Sequence, residues 1–288
     1  MTKEKEYISD DDVVVIGGSD WKPKKDPGRP NKWKAVAFIL AGILVAACLF
    51  YIGRHIKHSR EFIQSRYADT VIEALAQPVE GKPGIYAFSE DIANVKLKIY
   101  RLDNLKAHFA DTVPDYADST IYLVTRSSDY KIIGDKKEII GDYIVDGDVV
   151  EKSNWRAGFM AIVDGNAQIG IDRSSKIAKH VQKSGGSMFR QLALVSASIR
   201  CDNQFILKGK VRRCAYARDK QGNLFYIETE NPETLFGFAD ALIEYGFIDA
   251  VYITGGGQPN LFYRTEDGTA HGHYIDDKPH ELVVWKNY

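Results

Sequence analysis

From Ala35 to Gly53 no residue carries a charge and most are strongly apolar. At about 1.5 Å of rise per residue, a helix of that length approaches the ~30 Å hydrocarbon thickness of a bilayer. No other stretch limits the architecture as much, because a chain containing such a helix must bury it or place it in lipid. Trp33 and Tyr51 stand where an interfacial aromatic belt would lie. Lys22, Lys24, Lys25, Arg29, Lys32 and Lys34 precede the span, and Arg54, Lys57, Arg60 and Arg66 follow it. This bias favours a cytoplasmic N-terminus and a C-terminal domain that is periplasmic or extracellular. Two alternatives stay open. Val45-Ala46-Ala47-Cys48 is lipobox-like and would make Cys48 a lipidated N-terminus, and the run could be a buried core helix.

The span divides the chain. Residues 1–34 join an acidic cluster, Asp10 to Asp12, to a Lys/Pro/Gly-rich run without hydrophobic period, and are predicted to be a disordered cytoplasmic tail. Gly17-Gly18-Ser19-Asp20 lacks the spaced glycines of a dinucleotide turn. Residues 54–83 begin as an amphipathic helix, with Ile63, Tyr67, Val71 and Leu75 at spacing four, predicted to continue the span as a stalk or dock on the domain. Pro78 and Pro83 stop it, so the folded domain is expected over 84–288. A net charge of -1 and scattered lysines argue against a nucleic-acid partner.

The remainder is strand-rich. Gly84 to Phe88, Val95 to Leu102, Thr120 to Thr125, Glu138 to Val145 and Ala157 to Val163 are β-branched or aromatic runs bounded by turn residues. Asp146-Gly147 and Asp164-Gly165 read as hairpin turns. A helix is expected over Ser174 to Lys183, and a hairpin over Asn203 to Val211. Cys201 and Cys214 flank that hairpin symmetrically, so in an oxidising compartment they are candidates for a disulfide, against two buried thiols.

The clearest local pattern follows. Leu224 to Thr229 is a strand; Asn231 is expected to cap a helix with Pro232 in its first position, Leu235, Phe238, Ala239 and Leu242 form one apolar face, and Gly246 ends it. The strand Phe247 to Ile253 then leads through Thr254 into Gly255, Gly256 and Gly257. This is a β-α-β unit with a ligand-sized gap at its end, unless the glycines are only a loose turn. Backbone amides in a glycine-rich turn can bind anions without any side chain.

The order Arg-Arg-Cys-Ala-Tyr-Ala (212 to 217), strand, Pro-Glu-Thr-Leu helix, apolar strand and Gly-Gly-Gly resembles the phosphodiester glycosidase family, whose bacterial members are associated with exopolysaccharide. The resemblance is most specific from Arg212 to Tyr263 and does not reach the tail or the span. It implies an α+β class: a single mixed-sheet ectodomain preceded by one transmembrane helix. It also implies hydrolysis of a glycosyl phosphodiester or related envelope glycan, or a catalytically degenerate relative acting as a glycan-binding or assembly module. Arg213 matches the family's arginine. Thr254 stands where the family has an acid and Gln258 where it has a serine, and Thr125-Arg126-Ser127-Ser128 replaces an asparagine motif.

Phosphodiester hydrolysis needs a donor cradle for the phosphoryl oxygens and a carboxyl that handles a proton. Arg213, Gly255, Gly256, Gly257, Gln258 and Arg126 are the expected cradle; Arg212, its neighbour on a strand, must face the other way. Thr254 cannot ionise near neutral pH, so Glu228, Glu230 or Asp249 would supply the carboxyl. His271 and His273 with Asp276 or Asp277 form no full metal set, and Ser196 and Ser198 lie in no nucleophile elbow. No cofactor is expected; the expected partners are an envelope glycan or sugar-phosphate ligand and the bilayer.

Overall fold

The computed structural model describes residues 32–133, 136–152, 157–202, 205, 208–256, 261–272, 275 and 281–287. The chain divides into two units, 1–59 and 60–288. Helix α1 (Lys32–Leu75) begins in the first and ends in the second. Within it, Val36–Gly53 has a mean hydropathy of 2.6 and none of its length is buried, so it is long and apolar enough to serve as a single membrane anchor. The expected tail lies outside the described residues up to position 31.

The second unit is α+β, as expected. Its strands are β1 (Gly84–Ile92), β2 (Val95–Asp103), β3 (Lys106–Phe109), β4 (Ile121–Arg126), β5 (Tyr130–Ile133), β6 (Lys136–Ile139), β7 (Tyr143–Val145), β8 (Asp148–Glu151), β9 (Gly158–Val163), β10 (Asn166–Ile171), β11 (Ser187–Gln191), β12 (Ala193–Ser196), β13 (Ile199–Arg200), β14 (Arg212–Arg218), β15 (Leu224–Thr229), β16 (Asp249–Gly256), β17 (Leu261–Arg264), β18 (Ala270–Gly272) and β19 (Leu282–Lys286). Two further helices are α2 (Lys176–Lys183) and α3 (Leu235–Tyr245). The first sheet has the order β1-β2-β15-β14-β16-β12-β13, the second β10-β9-β11-β7-β8 and the third β18-β17-β4-β19-β3; β5 and β6 form a separate ribbon. All ladders between described strands are antiparallel. In the β-α-β unit, β15 and β16 run the same way with β14 between them.

The hairpins follow their turn chemistry. Asp146-Gly147 and Asp164-Gly165 pair two positive φ angles, 48° and 88°, then 51° and 83°, the geometry that matches strand twist in a two-residue loop. Alternation along the first sheet feeds two cores. Tyr100, Cys214, Tyr216, Tyr226, Val251 and Ile253 face a central core that also receives Phe189 and Trp285 from the other two sheets. Ala215, Ala217, Ile227, Ala250 and Tyr252 face the opposite side, against Leu235, Phe238, Ala239 and Leu242 of α3. Ala68, Val71 and Leu75, at the end of α1, enter a third core with Ile177 and Val181 of α2.

Two local expectations are corrected. Thr234, not Asn231, caps α3: its Oγ1 accepts from Gly237 N at 3.0 Å. The backbone just before it is already held by an antiparallel bridge between Glu233 and Val211, so the helix starts later. Gly246 ends it in the left-handed region at φ 116°, as expected. The Cys201–Cys214 bridge is not made. Cys214 is in β14, whereas Cys201 follows β13 and donates its N–H to Leu194 O of β12. With β16 and β12 between β14 and β13, the separation is about 14 Å at ~4.8 Å per strand, against the roughly 4.4–6.8 Å a disulfide needs. The symmetric hairpin behind that expectation includes positions 203, 204, 206 and 207, outside the described residues.

Candidate functional site

The parallel course of β15 and β16, with β2 and β14 antiparallel to them, brings Lys98, Arg213, Cys214, Glu228 and Thr254 to one end of the first sheet. Cross-strand register places Glu228 opposite both Lys98 and Cys214, and Arg213 opposite Gly255. Sharing an end is not sharing a face.

Neighbouring residues in a strand point to opposite faces, and this divides the expected catalytic set. Arg213 is 2% exposed and lies on the α3 side. Its Nε donates to Glu233 O at 3.0 Å, one terminal nitrogen to Gly209 O at 2.9 Å and the other to Tyr252 Oη at 3.2 Å. All three nitrogens thus end on acceptors of the protein, and Arg213 clasps the loop before β14, the approach to α3 and β16 together. Thr254 is buried, with its Oγ1 3.5 Å from Asp129 Oδ1.

Glu228 sits on the other face. It is buried, accepts from Tyr226 Oη at 3.3 Å and lies 3.8 Å from Cys214 Sγ. Burial pushes the Cys214 thiol up strongly and the Glu228 carboxylate adds to this, while the Arg126 guanidinium opposes it. Arg126 ends β4, and the preceding Thr125 reaches this face through its Oγ1, 2.7 Å from Tyr216 Oη of β14. The Tyr100 hydroxyl, next to this group, is buried without a hydrogen-bond partner among the described residues. Lys98 Nζ lies 5.6 Å from the Tyr100 ring centre and 5.3 Å from that of Tyr263. The polar group on this face is thus Cys214, Glu228 and Lys98, walled by tyrosines, with the end of β4 beside Tyr216.

The glycines differ from a loose turn. Gly255 and Gly256 belong to β16 and pair with Arg213 and Arg212. Alternate pairs of an antiparallel ladder exchange backbone hydrogen bonds, so one of the two residues has its amide committed to β14. Gly255 does not lie in the left-handed region. What Gly255 provides is room: a Cβ there would stand 2.6 Å from Tyr252 Oη, 2.9 Å from Val211 Cγ2 and 3.0 Å from Arg212 O. Gly257 and Gln258 lie outside the described residues.

The alternative acids separate by position. Asp249 begins β16, about 20 Å along the strand from Gly255 at ~3.3 Å per residue, and is held by Arg218 at 2.5 Å. Glu230 accepts from Ser89 Oγ at 2.9 Å in an exposed setting. Asp129 was not singled out from sequence, yet it is the carboxylate nearest Thr254, and the only sequence signal for it is its place just after the Thr125–Ser128 segment. Ser127 and Ser128 turn inward, to Tyr143 Oη at 2.6 Å and Gln191 Nε2 at 2.6 Å. His271 is exposed and stacks on Tyr263 at 4.9 Å; His273, Asp276 and Asp277 lie outside the described residues. Ser196 closes β12, and Ser198 has φ 61° in the turn to β13.

No family model matches the chain, and no curated protein matches it in sequence. Among solved structures it is similar to the catalytic domain of zebrafish N-acetylglucosamine-1-phosphodiester α-N-acetylglucosaminidase, auto-inhibited by its pro-peptide. The identity is 14% and the TM-score 0.49, over 74% of this chain and 85% of that one. It is also similar to a hypothetical protein from Synechocystis (10%, TM-score 0.48, 71% and 62% covered) and to a protein of Burkholderia pseudomallei whose name marks it as exported (10%, TM-score 0.45, 67% and 74% covered). At these values no residue role carries across from any of the three.

Proposed function

We propose that this is a membrane-anchored envelope protein, with 1–34 cytoplasmic and 84–288 outside, whose folded domain binds a glycosyl phosphodiester or related envelope glycan and hydrolyses it. The observation carrying this reading is a buried carboxyl, Glu228, standing opposite Lys98 on one neighbouring strand and Cys214 on the other at the strand ends where the glycines begin. Arg126, with Lys98 alongside, offsets the phosphoryl charge, and a charge-assisted contact of this kind is strongest where water is excluded. Glu228 handles the proton of the departing oxygen. Arg213, which the resemblance makes the phosphate contact, here holds the strand ends in place.

A second reading, a non-catalytic glycan-binding module, is favoured by Thr254 in the family's acid position and by the commitment of all three Arg213 nitrogens to the protein itself. Full-length protein in micelles, assayed on an N-acetylglucosamine-1-phosphodiester, separates the two. Hydrolysis predicts turnover that falls by roughly 10²-fold or more in Glu228→Gln, the usual weight of a general acid. Binding without turnover selects the second reading. If Asp129→Asn abolishes turnover and Glu228→Gln does not, the carboxyl is Asp129. Neither binding nor turnover removes both readings. Labelling of an engineered cysteine in the C-terminal half of intact cells tests the orientation.

A further inference from the structure

Away from the strand ends, a cavity of about 350 Å³ opens between β7, β8 and α2. Its wall is apolar, from Ile144, Val149 and Ala178, and its rim carries Lys152, Arg173 and Lys179. These three cations are exposed, and among the described residues none has a side-chain hydrogen bond or ion pair.

The charged groups deeper in the cavity are already matched. Arg190, with 4% of its side chain exposed, pairs through Nε with Asp142 at 3.0 Å and lies 3.9 Å from Asp172. It also donates to the carbonyls of Asp172 and, at 2.8 Å, Ser174. Asp172 in turn accepts from Ser174 N at 2.9 Å and Ser174 Oγ at 2.7 Å. Glu151 belongs to the rim: it is exposed, and its acceptance from the Lys152 backbone N–H at 3.0 Å leaves its charge in place. Lys176, on the same helix, pairs with Asp69 at 2.5 Å.

The buried part is therefore a rigid ionic floor that fixes the start of α2, while the rim is net positive, with Lys152, Arg173 and Lys179 against the single exposed carboxylate of Glu151. An apolar wall beside a net positive rim suits a ligand that is itself divided, with a compact carbon skeleton on one side and an oxyanion on the other. Buried floor charges fix the pocket's shape, and exposed rim charges select the ligand's sign at low desolvation cost.

We propose that this cavity is a second, non-catalytic subsite for an anionic sugar unit, its phosphate or carboxylate held by Arg173 and Lys179 and its ring face on Val149 and Ala178. The inference does not rest on the hydrolytic reading. It gives the protein a means of holding an anionic glycan at a point other than its strand-end group.

Calorimetric titration of the full-length protein in micelles of neutral headgroup tests it, using glucose 1-phosphate, glucuronate and neutral glucose as probes. The proposal expects binding of one or both anionic probes and not of glucose. Affinity should fall about tenfold in Arg173→Ala, the scale of one charge-assisted hydrogen bond, and further in Arg173→Ala/Lys179→Ala. It should be unchanged in Glu228→Gln and in Lys220→Ala, an exposed lysine elsewhere. Preference between the two anions identifies phosphate or carboxylate as the recognised group. No binding of either anion, equal binding of glucose, or an equal loss in Lys220→Ala overturns the proposal. A loss confined to Glu228→Gln assigns the binding to the strand ends and overturns it as well. Arg173 and Lys179 are exposed and outside the cores, so their variants fold, and a weakening of wild-type binding by added salt checks the charge component independently.

Discussion

Replacing Gly255 with alanine tests the packing of the strand ends. The new methyl would meet Tyr252 Oη at 2.6 Å, Val211 Cγ2 at 2.9 Å and Arg212 O at 3.0 Å. The last is backbone of the adjoining strand and cannot retreat without breaking the ladder. The Tyr252 hydroxyl belongs to a side chain 1% exposed, and its position is set by Arg213 at 3.2 Å. Overpacking at such a site costs about 1–3 kcal/mol, and displacing the hydroxyl from Arg213 leaves a buried donor unpaired at about 1–3 kcal/mol more. Gly255 lies outside the left-handed region, so alanine adds no backbone strain and regains roughly 0.5–1 kcal/mol through the unfolded chain. The net expectation is a loss of about 2–4 kcal/mol, or roughly 5–15 °C for a unit of this size. Thermal unfolding of the full-length protein, followed by near-ultraviolet circular dichroism, measures it. Tyr252→Phe removes the nearest obstacle, so the double variant should be less destabilised than the sum of the singles by about 1 kcal/mol. A Gly255→Ala protein within ~0.5 kcal/mol of wild type, or strict additivity with Tyr252→Phe, would refute the steric account.

Protein purified without reductant should retain Cys201 and Cys214 as thiols. Alkylation followed by mass spectrometry should modify Cys201, pushed up to about 11 mainly by burial, before Cys214, which is more deeply buried and raised further; a Cys201–Cys214 crosslinked peptide would contradict the sheet order. Burial, and secondly Lys286, lowers the pKa of His108 from its ordinary 6.5 in the fold, against weaker opposing contributions from Asp111 and Asp146. The unfolded chain therefore takes up this proton first, so stability is unaffected well above pH 6.5 and declines as pH falls from there toward the lower folded value. His108→Gln should flatten that decline, and identical pH–stability slopes for the two proteins would rule His108 out.

What could be read from sequence was local. Asp146-Gly147, Asp164-Gly165 and the apolar face of α3 depend on residues within a few positions of one another, and each took its expected form. The α3 cap was misplaced because Asn231-Pro232 is a good local signal that a long-range bridge, Val211 to Glu233, overrides. The Cys201–Cys214 expectation used symmetry along the chain, whereas β16 and β12, inserted between their strands, decide the distance. At the candidate site, adjacency in sequence concealed opposition in space. Arg213 and Cys214 are neighbours on one strand and so serve different faces, which places Glu228 with Cys214 and Lys98 rather than with Arg213. Asp129 was overlooked because its relevance depends on β4 and β16 ending together, 125 residues apart.

The position of β19 bears on how the protein is made. It lies between β4 and β3 in the third sheet, and its Trp285 donates to Tyr216 of the first sheet at 2.9 Å. Until residues 282–286 emerge, β4 and β3 have an open slot between them and Tyr216 lacks that donor. A chain in which residues 282–286 have yet to join the sheet would thus carry unpaired edges on both β3 and β4, a state prone to aggregation and open to holding chaperones. Completion of the third sheet therefore waits on β19, the one partner that β3 and β4 share.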